Sequence, residues 1–386
     1  MTRISELNAS LLFRMESDPS GIRRIRWLGR TRFDPETGVR SVFYTASGFE
    51  VRFSGTFLEG LFLAPQLSDP ERGPRLAVFL DGEEDPRKAD LLVLRESRSR
   101  QILVSGLPGG IHTVRVLKRS EALEGDLGIV SLSTDGTFLP APEGNPFRIQ
   151  YVGDSTLAGF GNFSASVDEP KTPANSDGLW DLAYLSAYAH GADFSVVCSS
   201  GWGISRGWNT PGGARDPMNS IPAAYECVAI DGSNTIRRDW GPWDFSLFRP
   251  DLLVIALGTN DFNAPGYDQM APAGKKDLRD SFVSDYLTFL KRLSVLHPGV
   301  PVLLVWGIMA DAWRIGEAER EVLAQASVSL PGRYAGLEVV AAGTTHPFGS
   351  SYHPQAETHV EAAAALSAEI ARFTGHPILR PDLPRP

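Results

Sequence analysis

FRIQYVGDS, residues 147–155, is the stretch that decides how this chain is interpreted. Its apolar residues predict a buried strand, and Gly153 permits a sharp turn of the backbone at the strand's carboxyl end. In open α/β sheets, ligands bind at the carboxyl ends of the strands. Ser155 therefore lies where a nucleophile is expected, although a serine after a strand is more commonly a helix cap or a turn residue.

The composition is that of a globular protein with two domains. The chain has 386 residues, of which 42% are hydrophobic and 22% are charged. The net charge of −9, without a long basic run, argues against binding to nucleic acid or to an anionic membrane. The two cysteines, Cys198 and Cys227, lack metal-ligand spacing, so we expect free thiols and no metal site.

The amino-terminal residues contain no apolar stretch of the kind found in signal peptides. No segment reaches the ~18 consecutive apolar residues of a membrane span. From the sequence as given we expect a cytoplasmic protein, or a secreted one if a leader was trimmed.

Residues 1–140 are predicted to form a β-sandwich (jelly-roll) domain. Short apolar runs are separated by turn residues, and several runs, such as residues 111–117, alternate between apolar and polar residues. Frequent short strands are typical of sandwiches, and a histidine on such a strand, His112, is expected to be structural. The predicted strands are 22–28, 42–46, 49–53, 58–63, 76–80, 91–94, 102–104, 111–117 and 129–132.

Residues 147–386 are predicted to form an α/β domain with a doubly wound parallel sheet. The preceding segment 140–146, PAPEGNP, has the composition of a linker. Near-continuous apolar runs then alternate with amphipathic helical patterns, as in a parallel sheet covered on both faces. The predicted strands are 149–152, 194–198, 252–257, 302–306 and 337–341, and the predicted helices are 178–190, 276–296 and 354–373.

Two further strands of this sheet end in segments that suit an oxyanion hole. Residues 199–203 contain two glycines, and residues 258–261 read Gly-Thr-Asn-Asp. A glycine lets a backbone N–H approach an anionic oxygen, and the amide of Asn260 is a further donor. Together with the N–H of Ser155, these groups predict a three-donor oxyanion hole. The alternative for residues 258–261 is an ordinary polar turn between a strand and a helix.

The histidine expected to act with Ser155 is His353. It directly precedes Pro354, which suits the first position of the last helix, so His353 is held just outside that helix. A purely structural cap is the alternative. The remaining histidines of this domain are expected to be packed or solvated: His190, His297, His346, His359 and His376.

These blocks, in this order, resemble those of SGNH (GDSL-like) hydrolases. Residues 106–114 and 118–122 of the first domain, and residues 243–246 before the third strand, resemble carbohydrate esterase family 2. This resemblance covers nearly the whole chain. It implies a cofactor-independent serine esterase, whose substrates are acetylated polysaccharides and oligosaccharides.

Carried over to this sequence, the resemblance makes Ser155 the nucleophile and His353 the base. Gly201 and Asn260 join the N–H of Ser155 in the oxyanion hole. Gly203 competes with Gly201, because the Gly-Trp-Gly sequence permits either alignment.

One departure from the family pattern concerns the acid. SGNH enzymes commonly have an aspartate three residues before the histidine, and here Ser350 occupies that position. Some members of the esterase family resemble Ser-His dyads, in which a backbone carbonyl holds the imidazole. A carbonyl can fix the tautomer and favour the imidazolium in part, so we expect a dyad.

Trp202 directly follows the proposed oxyanion glycine and is expected to bind substrate, because an aromatic ring can cover the apolar face of a sugar. The leading hypothesis is a carbohydrate O-acetyl esterase. The alternatives are a carbohydrate-binding protein with little activity and an esterase or lipase for other acyl groups. The sequence names neither the glycan nor the oligomeric state.

Overall fold

The computed structural model describes residues 5–8, 23–210, 214–263 and 266–386. The chain divides into two compact units. The first comprises the residues up to Gly144 together with Ile230–Thr235, and the second comprises Asn145–Ala229 together with Ile236–Pro386. Ile230–Thr235 is thus a segment from far along the sequence that belongs to the first unit.

The first unit is a β-sandwich of two antiparallel sheets, as the sequence predicts. Its described strands are β1 (Ser5–Asn8), β2 (Ile25–Leu28), β3 (Thr31–Asp34), β4 (Val39–Val42), β5 (Gly48–Gly55), β6 (Leu58–Leu63), β7 (Arg75–Leu80), β8 (Asp90–Val93), β9 (Arg98–Val104), β10 (Gly110–Lys118), β11 (Leu127–Thr134) and β12 (Thr137–Phe138). One sheet has the order β3-β4-β11-β6-β9, with β1 paired to β11. The other has the order β12-β5-β10-β7-β8, with β2 paired to β5.

Alternation along the strands builds the core of this sandwich. On β10, Val114 and Val116 are fully buried, whereas Thr113 and Arg115, which alternate with them, are partly exposed. The valines pack in a cluster with side chains such as Phe53. This arrangement buries one face of each sheet, which is what the alternating pattern of residues 111–117 predicts.

The predicted strand 42–46 is wrong beyond its first residue. β4 ends at Val42, and the apolar residues after it lie in a turn. Phe43 and Tyr44 are fully buried there, and Ala46 takes a left-handed conformation with φ 54°. The Ala46 N–H donates to the carbonyl of Lys118 at 2.7 Å. The apolar run therefore lies in a buried turn. Hydrophobic periodicity does not distinguish such a turn from a strand.

The second unit contains a parallel sheet flanked by helices. Its strands are β13 (Arg148–Gly153), β14 (Asp193–Cys198), β15 (Leu252–Ala256), β16 (Val302–Trp306) and β17 (Tyr334–Glu338), in the order β14-β13-β15-β16-β17. Its α-helices are α1 (Leu182–His190), α2 (Ile221–Tyr225), α3 (Thr259–Phe262), α4 (Pro272–Leu296), α5 (Ala312–Ser329) and α6 (Ala356–Thr374). Helix α1 packs against α6, and α4 packs against α5. The predicted α/β class is confirmed.

The edge strand and one helix of this unit differ from the sequence prediction. The fifth strand, predicted at 337–341, lies at Tyr334–Glu338 on the edge of the sheet. Ala335 is its one buried residue, so the apolar signal is weak. Helix α5 was not predicted, since its buried face is made largely of small or polar residues such as Ala318 and Glu319.

The predicted helix 178–190 is interrupted at Asp181. A 3-10 turn, Gly178–Trp180, precedes Asp181, and α1 follows it. Asp181 is extended and fully buried, and its Oδ1 accepts hydrogen bonds from the N–H groups of Ala183 and Tyr184, both at 2.9 Å. Its Oδ2 has no hydrogen-bond partner in the described chain, and burial raises the pKa of this carboxyl well above its usual value.

In the part of the chain described, no helix combines the length and the apolar character that crossing a bilayer requires.

We expect Asp181→Ala to lower the free energy of unfolding by about 1–2 kcal/mol, because two buried N–H groups lose their acceptor. Asp181→Ser keeps an oxygen acceptor at the cap and should lose less. Urea unfolding followed by circular dichroism measures both. Equal losses in the two variants would show that the cap contributes nothing beyond packing.

Candidate active site

The carboxyl ends of β13, β14 and β15 lie side by side. In the parallel ladders, Gly153 is level with Cys198 on one side and with Ala256 on the other. The segments that follow these strands therefore meet at one edge of the sheet, where ligands bind in doubly wound folds. They carry the predicted nucleophile and the predicted oxyanion-hole residues.

Ser155 begins a short 3-10 turn directly after β13. Asp154 caps this turn, since its Oδ1 accepts hydrogen bonds from the N–H and the hydroxyl of Thr156, each at 3.0 Å. Ser155 is 5% exposed. Its own N–H has no acceptor among the residues that the structure describes. The turn is thus fixed while one donor beside the hydroxyl remains available.

His353 meets Ser155 across 198 residues of sequence. Its Nε2 lies 2.8 Å from Ser155 Oγ. Its Nδ1 lies 3.1 Å from the carbonyl oxygen of Ser350 and 3.2 Å from that of Ser351. Carbonyls only accept, so Nδ1 carries the proton and Nε2 is left to accept from the serine hydroxyl. This tautomer is the one that a general base needs.

The two carbonyls reach one nitrogen because the backbone is strained. Ser351 has φ 51° and Tyr352 has φ 63°, both in the left-handed region. Such conformations cost on the order of 1 kcal/mol each for residues other than glycine. Strain of this kind is kept where the surrounding structure needs it, here to point consecutive carbonyls at His353.

Asn260, at the start of α3, forms hydrogen bonds to the segments that follow β13 and β14. Its Nδ2 donates to Asp154 Oδ2 at 3.1 Å and to the carbonyl of Trp202 at 3.0 Å. Both amide hydrogens are therefore engaged inside the protein. An oxyanion at this place would share one of them.

Asp261 organises the segment after β14. Its carboxylate accepts hydrogen bonds from the N–H groups of Ile204, Ser205 and Arg206 at 2.8–2.9 Å. Gly203 has no room for a side chain, since a Cβ there would lie 2.3 Å from Asp261 Oδ2. Close packing accounts for this glycine independently of any role in the oxyanion hole.

Gly201 is a glycine for a different reason. Its φ of 84° lies in the left-handed region, and a Cβ would come 2.3 Å from the indole of Trp208. Its N–H has no acceptor within the described residues. The N–H of Gly203 likewise has no acceptor within the described residues, so the choice of Gly201 over Gly203 as oxyanion donor stays a prediction.

The two tryptophans near Gly201 differ in exposure. Trp202, the residue expected to bind substrate, is 8% exposed. Trp208 is 59% exposed and packs against the backbone of Gly201. Both tryptophans flank the second block in the sequence, which led to Trp202. The contact of Trp208 with Gly201 depends on the fold of the intervening loop. Trp208 offers far more aromatic surface to a ligand than Trp202.

Other histidines of the unit have different neighbours. They are His190 against two backbone carbonyls, His297 on a tyrosine hydroxyl, His346 beside a glutamate, His376 stacked on a phenylalanine, and His359, which is 1% exposed. Burial lowers the pKa of His359 to about 3, with His353 as a lesser cause. His353 is the histidine in contact with Ser155 in the described chain.

Several acids of this unit are buried. Glu319 is 1% exposed, and neither of its carboxylate oxygens has a hydrogen-bond partner in the described residues. Burial, followed by the neighbouring Asp261 and Asp311, raises its pKa well above the usual value. Burial is also the main cause that raises the pKa of Asp154 to about 7 and that of Asp261 to about 6.

These acids do not form a metal site. Within the described ranges, no group of three or more His, Cys, Asp or Glu side chains is arranged to hold a metal ion.

Two family models match the chain. Residues 27–142 match the carbohydrate esterase 2 N-terminal domain, and residues 149–372 match the GDSL-like lipase/acylhydrolase family.

Known proteins are similar over much of the chain. The cellulase/esterase CelE of Acetivibrio thermocellus is 27% identical over 279 residues, which are 71% of this chain but only 31% of that protein. An acetylxylan esterase / glucomannan deacetylase of Cellvibrio japonicus is 26% identical over 338 residues, covering 86% of this chain and 87% of that protein. A solved structure of a family two carbohydrate esterase from Clostridium thermocellum in complex with cellohexaose matches with a TM-score of 0.76 at 23% identity, covering 92% of this chain and 100% of that one. At this identity the structural match supports the fold.

Glu319→Gln should change how stability depends on pH. Because the pKa of Glu319 is raised in the folded protein above its ordinary 4.5, folding retains a proton that the unfolded chain releases. The free energy of unfolding that Glu319 contributes is therefore lost as the pH rises above the pKa that this residue has in the unfolded chain. We expect Glu319→Gln to match the wild type near about pH 4, below the unfolded pKa, and to exceed it near about pH 8.

Urea midpoints across this pH range provide the measurement. Glu317→Gln, on the same helix but with a side chain 77% exposed, is the control and should follow the wild type. Parallel curves for Glu319→Gln and the wild type would contradict the raised pKa.

Proposed function

Because this chain belongs to carbohydrate esterase family 2, with a CE2 N-terminal domain followed by a GDSL-like hydrolase domain, we propose that it removes acetyl groups from polysaccharides or oligosaccharides. The observation that carries the proposal is the 2.8 Å contact between Ser155 Oγ and His353 Nε2. A hydroxyl paired with an imidazole whose other nitrogen is protonated is the arrangement of an activated serine nucleophile.

In the proposed reaction, Ser155 Oγ attacks the acetyl carbonyl while its proton passes to His353 Nε2. The tetrahedral intermediate collapses, and His353 returns the proton to the departing sugar oxygen. The products of this half are the free sugar hydroxyl and an acetyl-serine ester. Water then attacks that ester with His353 as base, which releases acetic acid and restores Ser155.

The oxyanion of each intermediate would be bound by the N–H groups of Ser155 and Gly201 and by the amide of Asn260. The two N–H groups support this role because they have no acceptor within the described chain. Asn260 contributes by sharing a hydrogen that otherwise faces Asp154 or the carbonyl of Trp202. Developing negative charge is the stronger acceptor, so sharing favours the transition state over the ground state.

We further propose that His353 works without an acid. The carbonyls of Ser350 and Ser351 at its Nδ1 support a dyad, since they hold the tautomer and stabilise the imidazolium by their dipoles. A carbonyl has less negative charge than a carboxylate, so it supplies part of what an aspartate supplies in a triad.

Carbohydrate is the substrate class that the surroundings support. The exposed indole of Trp208 beside Gly201 can cover the apolar face of a pyranose while the acetyl group enters the site. Relatives at 26–27% identity include a cellulase/esterase and an acetylxylan esterase / glucomannan deacetylase, which supports acetylated plant polysaccharides as the substrate.

Activity on an aryl acetate tests the proposed nucleophile and base. Ser155→Ala and His353→Ala should each lower kcat by ~10³ or more, because each removes a group that takes part in bond making or proton transfer. Glu357→Gln is the matched control, since Glu357 is an acid four residues beyond His353. It should stay within about threefold of the wild type.

Three results would reject parts of the proposal. If the wild-type protein hydrolysed no acetyl ester, the alternative of a carbohydrate-binding protein would remain. Faster turnover of long acyl chains would indicate a lipase. A ~10⁴-fold loss in Glu357→Gln would make Glu357 the third member of a triad.

Trp208→Ala should impair hydrolysis of acetylated xylo- or glucomanno-oligosaccharides much more than that of a small aryl acetate. The reason is that only the sugar uses the indole face. Trp208→Phe keeps an aromatic face and should retain most activity on both substrates. Comparing kcat/KM on the two substrates checks this, and equal losses on both would assign Trp208 to the packing of Gly201.

A further inference from the structure

The imidazole of His353 lies on the ring of Phe160. The ring centroids are 4.0 Å apart and the planes differ by 24°, which is a stacked arrangement. Phe160 comes from the loop after Ser155, five residues beyond the proposed nucleophile. One short loop thus supplies both the hydroxyl at the edge of the imidazole and the aromatic ring on its face.

Two glycines bring Phe160 to this place. Gly159 has φ 66° and Gly161 has φ 55°, so the backbone turns into the left-handed region on both sides of Phe160. A Cβ on Gly159 would lie 2.2 Å from the carbonyl oxygen of Asp177, and one on Gly161 would lie 2.5 Å from Ser350 Cβ. The loop therefore runs directly against the segment that carries His353. In addition, the N–H of Phe160 donates to the carbonyl of Ser155 at 3.3 Å.

We propose that Phe160 is a positioning residue for His353, whose aromatic face holds the imidazole and stabilises the imidazolium formed during the reaction. This inference rests on the proposed function, in which His353 is the base. It assigns to an aromatic ring part of the task that an acid performs in a triad.

The hydrogen bonds of His353 described above lie in the plane of the imidazole. Ser155 at Nε2 and the two carbonyls at Nδ1 all act at the edge of the imidazole. A flat ring on the face restrains tilting out of that plane, which would lengthen the hydrogen bond to Ser155. A displacement of this kind at a reacting group costs rate even when binding is unaffected.

The face of an aromatic ring is also negative, so it attracts a cation more than a neutral ring. The imidazole is neutral before the reaction and positive in the transition state. The stack therefore stabilises the transition state preferentially, which raises kcat. The ammonium of Lys171 lies 5.1 Å from the Phe160 centroid, so this ring already interacts with one cation in the folded protein.

Variants that separate an aromatic face from mere volume test the inference. Phe160→Leu keeps an apolar side chain without the π face, and we expect kcat on a small aryl acetate to fall about 3- to 30-fold with KM nearly unchanged. Phe160→Tyr keeps the face and should restore most of kcat. Phe163→Leu makes the same change in the same loop, where Phe163 packs edge-on against Trp180, and should leave kcat within about threefold of the wild type.

A spectroscopic measurement that needs no activity accompanies the kinetics. The ring protons of a histidine stacked on a phenylalanine are shifted upfield by the ring current. In protein with isotope-labelled histidine, the resonance absent from His353→Ala should be upfield in the wild type and in Phe160→Tyr, and should move downfield in Phe160→Leu. If Phe160→Leu does not fold, Phe160→Met is the substitute.

Different results would overturn different parts of the proposal. Unchanged kcat in Phe160→Leu, equal losses in the Leu and Tyr variants, or a rise in KM at constant kcat would each overturn the positioning role, the last by making Phe160 a wall of the substrate site. An unshifted resonance in the wild type would overturn the stack itself. A wild type inactive on all acetyl esters would instead reject the proposed function, whatever the resonance shows.

Discussion

The register of three parallel strands is the constraint on which the site depends. Gly153 of β13 is level with its neighbours on β14 and β15, so three strands end at the same height. Side chains alternate along a strand, and a slip by one residue would turn each following segment to the opposite face. Asn260 reinforces the register, because its amide bonds to Asp154 after one strand and to the carbonyl of Trp202 after another. The strands that bury the core thereby also set the spacing of the proposed oxyanion donors.

Local backbone geometry places two carbonyls at Nδ1 of His353. Two carbonyls face Nδ1 because Ser351 and Tyr352 both adopt left-handed conformations. The strain that this costs is offset elsewhere in a well-packed unit. An aspartate would fix the ring with a single strong bond, whereas carbonyl dipoles hold it more weakly. The stack of Phe160 on His353 adds a contact on the face of the imidazole, where neither carbonyl acts.

The sequence predicted those features that depend on pattern and order. Near-continuous apolar runs gave four of the five parallel strands, and the order of the polar blocks led to Ser155 and His353, which the fold brings into contact. Features that depend on backbone conformation were not predictable. Whether residues 43–46 form a strand or a buried turn depends on the φ of Ala46. Likewise the stacking of Phe160 follows from the turns around it, and no periodicity reports such a contact.

Two buried acids of the second unit, Asp261 and Glu319, show that equally buried carboxyls can differ in what they do. Asp261 accepts hydrogen bonds from three backbone N–H groups. These bonds oppose the effect of desolvation on its carboxyl, whose pKa is raised to about 6. Glu319 is as deeply buried but has no hydrogen-bond partner in the described chain, so desolvation acts on it almost unopposed. Asp261 therefore orders the segment next to Gly201, while Glu319 only costs stability as the pH rises. Hydrogen-bond donors, and not depth, decide which buried carboxyl can organise the site.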